Sequence, residues 1–476
     1  MIDRREILDM ATQMSLNPHV VEKDYVLGWM LAGISNHPAL HDSWVFKGGT
    51  CLKKCYFETY RFSEDLDFTL KDEAHLDEEF LKQTFADIGA WIYEQTGIEV
   101  PADKQGFDIY KNPRGSISCQ GKVSYRGPVS PRDMPRIKLD LTADERLVLP
   151  PVRMPVYHPY SDIPDAGIDV LAYAYEEVFG EKVRALGERT RPRDLYDVIN
   201  LFRNEDARPA PDAVLDVLRQ KCDFKGIDVP SLAQLEPFRQ ELMGLWQSML
   251  AHQLPILPPY ETFWEALPRF FDWLLAGRVS ASPIAYTLGQ GETVLRDRQL
   301  RLPVSAGIQS AIEIIRFAAA NRLLVELQYQ GSTREIEPYS LRRTRDDNIV
   351  LHAVRADTGE HRAYRLDRIE GARATSQAFT PRYEIELTPT GPMPIRQATR
   401  AAASAPPRMA SIATPRASRR NPPKTKMMGQ PTYVYQCPMC QKTFRRNSMD
   451  GKLNAHKNQW GQQCSGRMGF LVRTTY

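Results

Sequence analysis

One short segment, DLDFTL at residues 65–70, constrains this chain more than any other part of its sequence. Side chains alternate along a strand, so Asp65 and Asp67 would share one face while Leu66 and Phe68 share the other. The apolar pair can be buried, but two carboxylates so close together repel each other. A divalent cation removes that repulsion, and ligands that are all oxygen atoms suit Mg²⁺ held together with substrate phosphates. The alternative is a pair of exposed strand aspartates without a ligand.

A glycine turn precedes this segment. The apolar run WVF is followed by Gly48-Gly49-Thr50 and then by CLKKCYFETY, which has a helical pattern. Glycines let a backbone approach a phosphate, Thr50 offers a hydroxyl, and the following helix offers free N–H groups and the positive end of its dipole. Strand, glycine turn, helix and D-x-D strand together predict a site for a nucleoside triphosphate and two metal ions.

Two later segments supply further charged residues. In RIKLDLTA the alternation predicts a strand that places Asp140 on its polar face, as a third metal ligand, a general base, or simply an exposed residue. In EEVFGEKVRALGERTRPRDLYDVINLF, Lys182 lies on one predicted helix, and Asp194 and Asp197 lie three apart on the next. The functional interpretation places Lys182 on a triphosphate and an aspartate near the metal or the attacking group. The alternative is a surface of ion-paired helices.

The ordered segments GGTCLKKCYFETYRFSEDLDF, KLDL and EKVRALGERTRPRDLYD resemble the AbiEii/AbiGii nucleotidyltransferase family over about residues 15 to 250. Members of this family are toxins of type IV toxin–antitoxin and phage abortive-infection systems, with a fold similar to the polymerase β superfamily. The resemblance implies Mg²⁺-dependent transfer of a nucleotide from an NTP to an acceptor, and some relatives modify the 3′ end of tRNA. It also implies a possible cognate antitoxin as a partner.

The resemblance assigns roles by motif position. Asp65 and Asp67 would hold two Mg²⁺ ions, and Ser63 would join them at the nucleotide. The superfamily often has Gly-Ser where this chain has Gly49-Thr50, so either Thr50 or Ser63 supplies the hydroxyl. The full predicted set is, for catalysis, Asp65, Asp67, Asp140, Lys182, Asp194 and Asp197, and, for nucleotide binding, Gly48, Gly49, Thr50, Ser63 and Lys182.

The length of 476 residues suggests about three domains. Residues 1–280 are predicted to be an α+β domain, with a helical pattern throughout from about Val170 to Gly277. Residues 305–388 have one helical pattern followed by short strands, which predicts a helix on a small antiparallel sheet or barrel. Residues 391–430 contain seven prolines and eight Lys or Arg but no acidic residue, which predicts a disordered linker. That linker is either a solvated tether or a basic arm for nucleic acid.

Within residues 305–388, the segments LQYQGSTREIEPYSL and HRAYRLDRIEG resemble a WYL domain, an Sm-like β-barrel of bacterial regulators and defence proteins. The sequence has IVL where the family has the Trp-Tyr-Leu that names it. The resemblance implies a nucleic acid or a nucleotide-like ligand, and the candidate contacts are Tyr339, His352, Arg362, Arg365 and Arg368. Arginine suits bidentate binding of phosphate, although Arg365 and Arg368 could be solvated charges at a strand end.

Residues 431–476 have the ligand pattern of a zinc-ribbon-like module. Cys437 and Cys440 form a C-x2-C pair, and His456 and Cys464 complete a nitrogen and sulfur set for tetrahedral Zn²⁺. A module of this size has little core, so a structural metal would stabilise it. Its basic and aromatic residues are consistent with nucleic-acid contact, and a structural or protein-docking role is the alternative.

The remaining features predict a cytoplasmic protein with no membrane partner. No run of 18 apolar residues is present, and the N-terminal segment lacks the apolar core of a signal peptide. The seven cysteines have no even spacing, which argues against a disulfide framework. The sequence favours a nucleotidyltransferase toxin. A WYL-type regulator with an inactive transferase domain is the alternative, and a two-metal nuclease is a third hypothesis. Because the set of carboxylates and the lysine is complete, we favour the enzyme.

Overall fold

The structure is a computed structural model that describes residues 1–57, 61–112, 114–129, 134–205, 207–277, 291–295, 306–387, 432–437, 443–446, 453 and 470–475. The chain forms two compact units, Met1–Ser411 and Ile412–Tyr476.

The first part of the larger unit is a mixed sheet with helices packed on it. Its helices are α1 (Arg4–Gln13), α2 (Pro18–Asn36), α3 (Gly48–Cys51), which continues as a π-helical turn (Leu52–Tyr56), and α4 (Glu78–Thr96). Its strands are β1 (Trp44–Lys47), β2 (Asp65–Leu70), β3 (Gln105–Lys111), β4 (Ile117–Ser124), β5 (Arg136–Thr142), β6 (Val152–Pro155) and β7 (Asp169–Ala172). They lie in the order β3-β4-β5-β2-β1-β7-β6, and β2 runs parallel to β5 and antiparallel to β1.

Local signals in the sequence set the ends of the long helices. Asn17 caps α2 by accepting a hydrogen bond from the His19 N–H at 2.9 Å, and Pro18 occupies the first helical position. Asp77 caps α4 in the same way, and Gly97 ends that helix in the left-handed conformation, with φ of 78°. These ends agree with the sequence-based prediction.

The second part of the larger unit is helical, and it contains α5 (Tyr175–Arg189), α6 (Pro192–Arg203), α7 (Pro211–Lys225), α8 (Leu232–Leu235), α9 (Arg239–Leu250), α10 (Tyr260–Trp264) and α11 (Leu267–Ala276). The predicted helical region from Val170 to Gly277 is therefore wrong at its start, where β7 pairs with β1 at Phe46 and Ala172. With only four residues, β7 is too short for its period to separate a strand from a helix. α5 follows β7 directly in the chain, and α6 follows α5.

The third part of the larger unit is an antiparallel sheet with one helix against it. Its elements are β8 (Thr293–Val294), α12 (Ala306–Ala320), β9 (Leu323–Tyr329), β10 (Ser332–Arg343), β11 (Ile349–Arg355), β12 (His361–Arg365) and β13 (Ile369–Ala378). The strand order is β12-β11-β10-β9-β13, with β8 paired to β10. The α+β class that the sequence predicts is confirmed.

The smaller unit contains β14 (Thr432–Gln436), β15 (Thr443–Arg446) and β16 (Phe470–Thr475), in the order β15-β14-β16. The buried Cys437 follows β14 and packs with Tyr435 and Leu453. The other three predicted zinc ligands, Cys440, His456 and Cys464, lie outside the described residues, as does the predicted linker at 391–430. Across the described ranges, no helix is long and apolar enough to span a bilayer.

Candidate active site

The glycine turn lies directly beside the D-x-D strand. Gly48 has φ of +81°, and a Cβ built on it would lie 2.0 Å from Asp67 Oδ2. A Cβ on Gly49 would lie 2.7 Å from Arg61 Nη2 and 3.1 Å from Ser63 Oγ. Both glycines are therefore required for the close approach of the turn to charged side chains.

The two candidate hydroxyls have different surroundings. Thr50 is buried, and its hydroxyl donates a hydrogen bond to the Asp65 carbonyl oxygen at 2.5 Å. Ser63 lines the pocket described below. The Thr50 hydroxyl thus fixes the turn to β2, while Ser63 remains the hydroxyl that faces the pocket.

Three carboxylates meet where β2 and β5 run side by side. The register places Asp67 beside Asp140 and Asp65 beside Lys138, while the alternate residues Leu66 and Phe68 are buried. Burial and the neighbouring Asp140 raise the pKa of Asp67 to about 6. Burial and Asp65 likewise raise the pKa of Asp140. Each carboxylate therefore makes it harder to ionise its neighbour, which is the like-charge pattern that a cation relieves.

These oxygen atoms fit a divalent cation that is also bound by substrate. In the described part of the chain, no group of three or more His, Cys, Asp or Glu side chains is placed so that it could hold a metal ion. Asp65, Asp67 and Asp140 nevertheless line the same pocket. Mg²⁺ commonly takes one or two protein carboxylates and completes its shell with water and phosphate oxygens. The donor set is consistent with that mode of binding.

The opposite wall of the pocket is built by α5 and α6. Lys182 Nζ lies 2.7 Å from Asp197 Oδ2 and 3.7 Å from Asp194 Oδ1. Arg189 donates two hydrogen bonds to Asp194, at 2.7 and 2.8 Å. Arg61 donates two to Asp197 at the same distances. The structure therefore brings Asp194 and Asp197 to the site as buried partners of three cations.

Asp197 is the more enclosed of these two aspartates. Burial alone would raise its pKa, but Arg61 and Lys182 outweigh burial and hold the pKa of Asp197 below its ordinary value. Arg61 also donates a hydrogen bond to the Gln253 side-chain oxygen at 2.9 Å. The ionised Asp197 consequently fixes the positions of two positive side chains.

Two basic residues were missed in the sequence. Arg61 lies two residues before Ser63, and its role depends on Asp197, which is 136 positions away. Lys47 immediately precedes the glycine turn, stands beside Asp67 in the β1–β2 register and lies 3.7 Å from Glu145. Burial would lower the pKa of Lys47, but Tyr173 and Glu145 outweigh burial and raise it. A basic residue at the end of a strand that leads into Gly-Gly is a signal that sequence reading could have used.

The pocket between these walls has a volume of about 470 Å³ and is strongly charged. It is lined by the cations Lys47, Arg61, Lys182, Arg184, Arg189, Arg191 and Arg193 and by the acids Asp65, Asp67, Asp140, Glu145, Glu181 and Asp194. Carboxylates on β2 and β5 together with this many cations suit a polyphosphate with a metal ion.

The predicted contacts of the third part differ in burial and in their partners. Tyr339 is buried and donates a hydrogen bond to Glu337 at 2.6 Å, and His352 is buried between His361 at 3.1 Å and Glu292 at 2.9 Å. The remaining three candidates are more exposed: Arg362 pairs with Glu360, Arg365 pairs with Asp367, and Arg368 lies on the surface.

The comparisons with known families agree with this geometry. Residues 29–275, more than half of the chain, match the family described as nucleotidyl transferase AbiEii toxin of type IV toxin–antitoxin systems. The chain belongs to this family, and it is a nucleotidyltransferase of the toxin class. Residues 310–374 match the WYL domain, so the third part is a WYL domain.

Similar solved structures include the nucleotidyltransferase toxin MenT4 of Mycobacterium tuberculosis, at 16% identity and a TM-score of 0.36, covering 59% of this chain and 91% of that one. Proteasome accessory factor B/C of Arthrobacter aurescens is similar at 14% identity and a TM-score of 0.16, covering 63% of this chain and 66% of that one. The search among curated proteins gives no match.

Proposed function

We propose that this toxin transfers a nucleoside monophosphate from an NTP to an RNA acceptor, such as the 3′ end of tRNA, and that it requires Mg²⁺. The acceptor oxygen would form a bond to the α-phosphorus while the α–β phosphoanhydride bond breaks and pyrophosphate leaves. The observation that supports this most directly is the placement of Asp67 beside Asp140, with Lys182 lining the same pocket. A triphosphate and its metal would fit between these two charged walls.

The protein side chains would divide the work. Asp65 and Asp67 would hold Mg²⁺, which when bound neutralises the phosphates and polarises the transferred one. Gly48 and Gly49 leave room for the triphosphate to approach the backbone. Lys182, held by Asp197 and Asp194, would contact the phosphates with a fixed ammonium group.

Asp140 is the candidate general base for the acceptor hydroxyl. A general base works best when its pKa lies near the operating pH, and the pKa of Asp140 is raised in that direction. Arg191 and Arg193 also line the pocket and would contact the acceptor backbone by phosphate binding.

The experiment incubates the purified protein with total bacterial RNA, Mg²⁺ and each labelled NTP in turn. Asp65→Asn tests the predicted metal ligand, and Asp108→Asn, an exposed aspartate on β3 paired with Lys122, is the matched control. We expect label in an RNA band with the unaltered protein and with Asp108→Asn, and none with Asp65→Asn. Label on protein instead of RNA would identify a protein acceptor, and shortened RNA would favour a nuclease. Equal labelling by Asp65→Asn would refute the assignment of Asp65 as a metal ligand.

We also propose that the smaller unit binds structural Zn²⁺ through Cys437, Cys440, His456 and Cys464, and that the WYL domain contacts nucleic acid or a nucleotide-like ligand. The buried position of Cys437 supports the zinc proposal. Metal analysis of the purified chain tests it, and we expect one zinc per chain and loss of that zinc in Cys440→Ser. Zinc-free protein would refute it.

A cognate antitoxin as a partner is proposed from the family.

A further inference from the structure

A group of arginines lies where α6 and α11 of the transferase domain approach the WYL domain. Arg203 is the last residue of α6, Arg269 lies on α11, and Arg322 follows α12 in the turn into β9. Arg322 lies within electrostatic range of both other arginines. We call these three residues the junction arginines.

Among the described residues, no carboxylate forms a salt bridge with the junction arginines. Arg203 donates one hydrogen bond, from Nη2 to the Thr262 carbonyl oxygen at 2.5 Å, and its guanidinium lies 4.6 Å from the centre of the Phe263 ring. Its Nε and Nη1 atoms are buried and have no hydrogen-bond partner in the part of the chain that the structure describes. Glu205 influences Arg322 electrostatically, yet within the described ranges none of the three arginines forms a salt bridge.

Like charges in this position are unfavourable without a ligand. Burial and then the positive charge of Arg322 lower the pKa of Arg203 well below its ordinary value. Burial and then Arg269 lower the pKa of Arg322 to about 10. Arginine side chains in proteins do not lose their proton at neutral pH, so both guanidinium groups are charged. A buried guanidinium with unmade hydrogen bonds costs free energy that an anion with two acceptor oxygens would recover.

We propose that the junction arginines form a binding site for a phosphate group, separate from the nucleotidyl-transfer pocket. A phosphate accepts hydrogen bonds in the fork geometry that a guanidinium offers. Arg269 is exposed, and Arg203 and Arg322 are both half-buried, so an anion can reach the group from the surface. The Tyr196 hydroxyl on α6 lies near the Asn321 amide of the WYL domain, which places the two domains in contact at this point.

The location connects the proposed site to the transfer pocket through one helix. α6 ends at Arg203 and also carries Asp194 and Asp197, which hold Lys182. A phosphate bound by Arg203 and Arg322 would therefore join the WYL domain to the helix that positions the lysine of the pocket. No residue of the transfer pocket contributes to the junction site.

The test measures thermal stability of the full chain in sodium phosphate and in sodium chloride at equal ionic strength, without Mg²⁺ or NTP. The variants are Arg322→Gln and Arg269→Gln. The control is Arg373→Gln, an arginine on β13 whose side chain is 74% exposed and pairs with Glu326. We expect phosphate to raise the Tm of the unaltered chain and of Arg373→Gln more than chloride does. Loss of one charged hydrogen bond should raise the half-saturating phosphate concentration about tenfold or more in Arg322→Gln, and less in the exposed Arg269→Gln.

Two results would overturn the proposal: a phosphate effect no larger than that of chloride, or a half-saturating concentration unchanged in both junction variants. Neither variant replaces an apolar core residue. A folding defect in either one would lower the Tm in chloride, which is measured alongside. An RNA oligonucleotide is titrated in parallel. A half-saturating RNA concentration far below that of phosphate identifies a nucleic-acid backbone as the source of the phosphate group. A response to phosphate without a response to RNA identifies a small phosphorylated ligand. In either case Arg322→Gln must weaken the effect.

Discussion

Replacement of Asp67 by asparagine is expected to stabilise the protein while abolishing nucleotide transfer. The folded state raises the pKa of Asp67 from 3.8 to about 6, because burial and Asp140 disfavour its charge. The difference is about 2 pKa units, and each unit corresponds to about 1.4 kcal/mol, so ionised Asp67 lowers the free energy of unfolding by at most about 3 kcal/mol. Asparagine keeps the shape and removes the charge.

The sign of the pH dependence follows from the direction of the shift. A carboxyl group whose folded pKa is raised binds its proton more tightly in the folded state, so its ionisation opposes folding. That cost is absent below about pH 3.8, grows as the pH rises to about 6, and is constant above that value. Lys47 loses an acidic neighbour in the variant, which offsets part of the gain, so we expect about 1–3 kcal/mol of stabilisation at pH 8.

The assay is urea denaturation in EDTA at pH 8 and at pH 4, with Asp108→Asn as a control of the same chemistry at an exposed ion pair. We expect the control to remain within about 0.5 kcal/mol of the unaltered protein at both pH values. The stabilisation by Asp67→Asn should nearly vanish at pH 4. A variant that is less stable than the unaltered protein at pH 8 in EDTA would refute the argument from like-charge repulsion. Added Mg²⁺ should stabilise the unaltered protein and leave Asp67→Asn unchanged.

Three further outcomes are expected. Asp197→Asn should lower the free energy of unfolding by about 3–5 kcal/mol at pH 7 in urea titrations, because it removes the carboxylate charge that pairs with buried Arg61. Since the pKa of Asp197 is lowered on folding, this difference should shrink as the pH falls below about 4, and a difference that is constant with pH would contradict the argument. Gly48→Ala should reduce stability and transfer more than Gly97→Ala, because both glycines have positive φ but only Gly48 lacks room for a Cβ, and equal losses in thermal melts would argue against a packed turn. Ser63→Ala should raise KM for the NTP about tenfold with an unchanged Tm, and an unchanged KM would remove Ser63 from the nucleotide site.

Local pattern was sufficient for the strands that carry the carboxylates. The alternation in DLDFTL and RIKLDLT gives the buried and polar faces that the structure has, and Asp140 stands on the polar face as expected. The sequence could not show that β2 pairs with β5 in a register that puts Asp67 beside Asp140, because a gap of 72 residues separates the two in the chain. Register between distant strands depends on packing of the whole sheet rather than on local propensity.

The sequence predicted which charged residues lie on α5 and α6, but it did not predict what those residues contact. The sequence offered Lys182, Asp194 and Asp197 as neighbours on two helices. It could not show that both aspartates would be enclosed by cations, because Arg61 reaches Asp197 from a loop before β2. A surface of ion-paired helices and a catalytic wall have the same local spacing, and only burial separates them. Both aspartates are fully buried, so the pairs are interior ones.

The arrangement of charges explains why the pocket stays open when no nucleotide is bound. The acids on β2 and β5 repel one another, and the cations on α5 and α6 could neutralise them directly by moving across the pocket. Asp197 prevents this, because it holds both Arg61 and Lys182 at hydrogen-bond distance. The carboxylates of β2 and β5 therefore remain apart from Lys182, and a metal ion and a triphosphate, which carry the matching charges, are the ligands best able to fill the space between them. Loss of Asp197 should accordingly free Lys182 to pair with Asp67 and close the pocket to nucleotide.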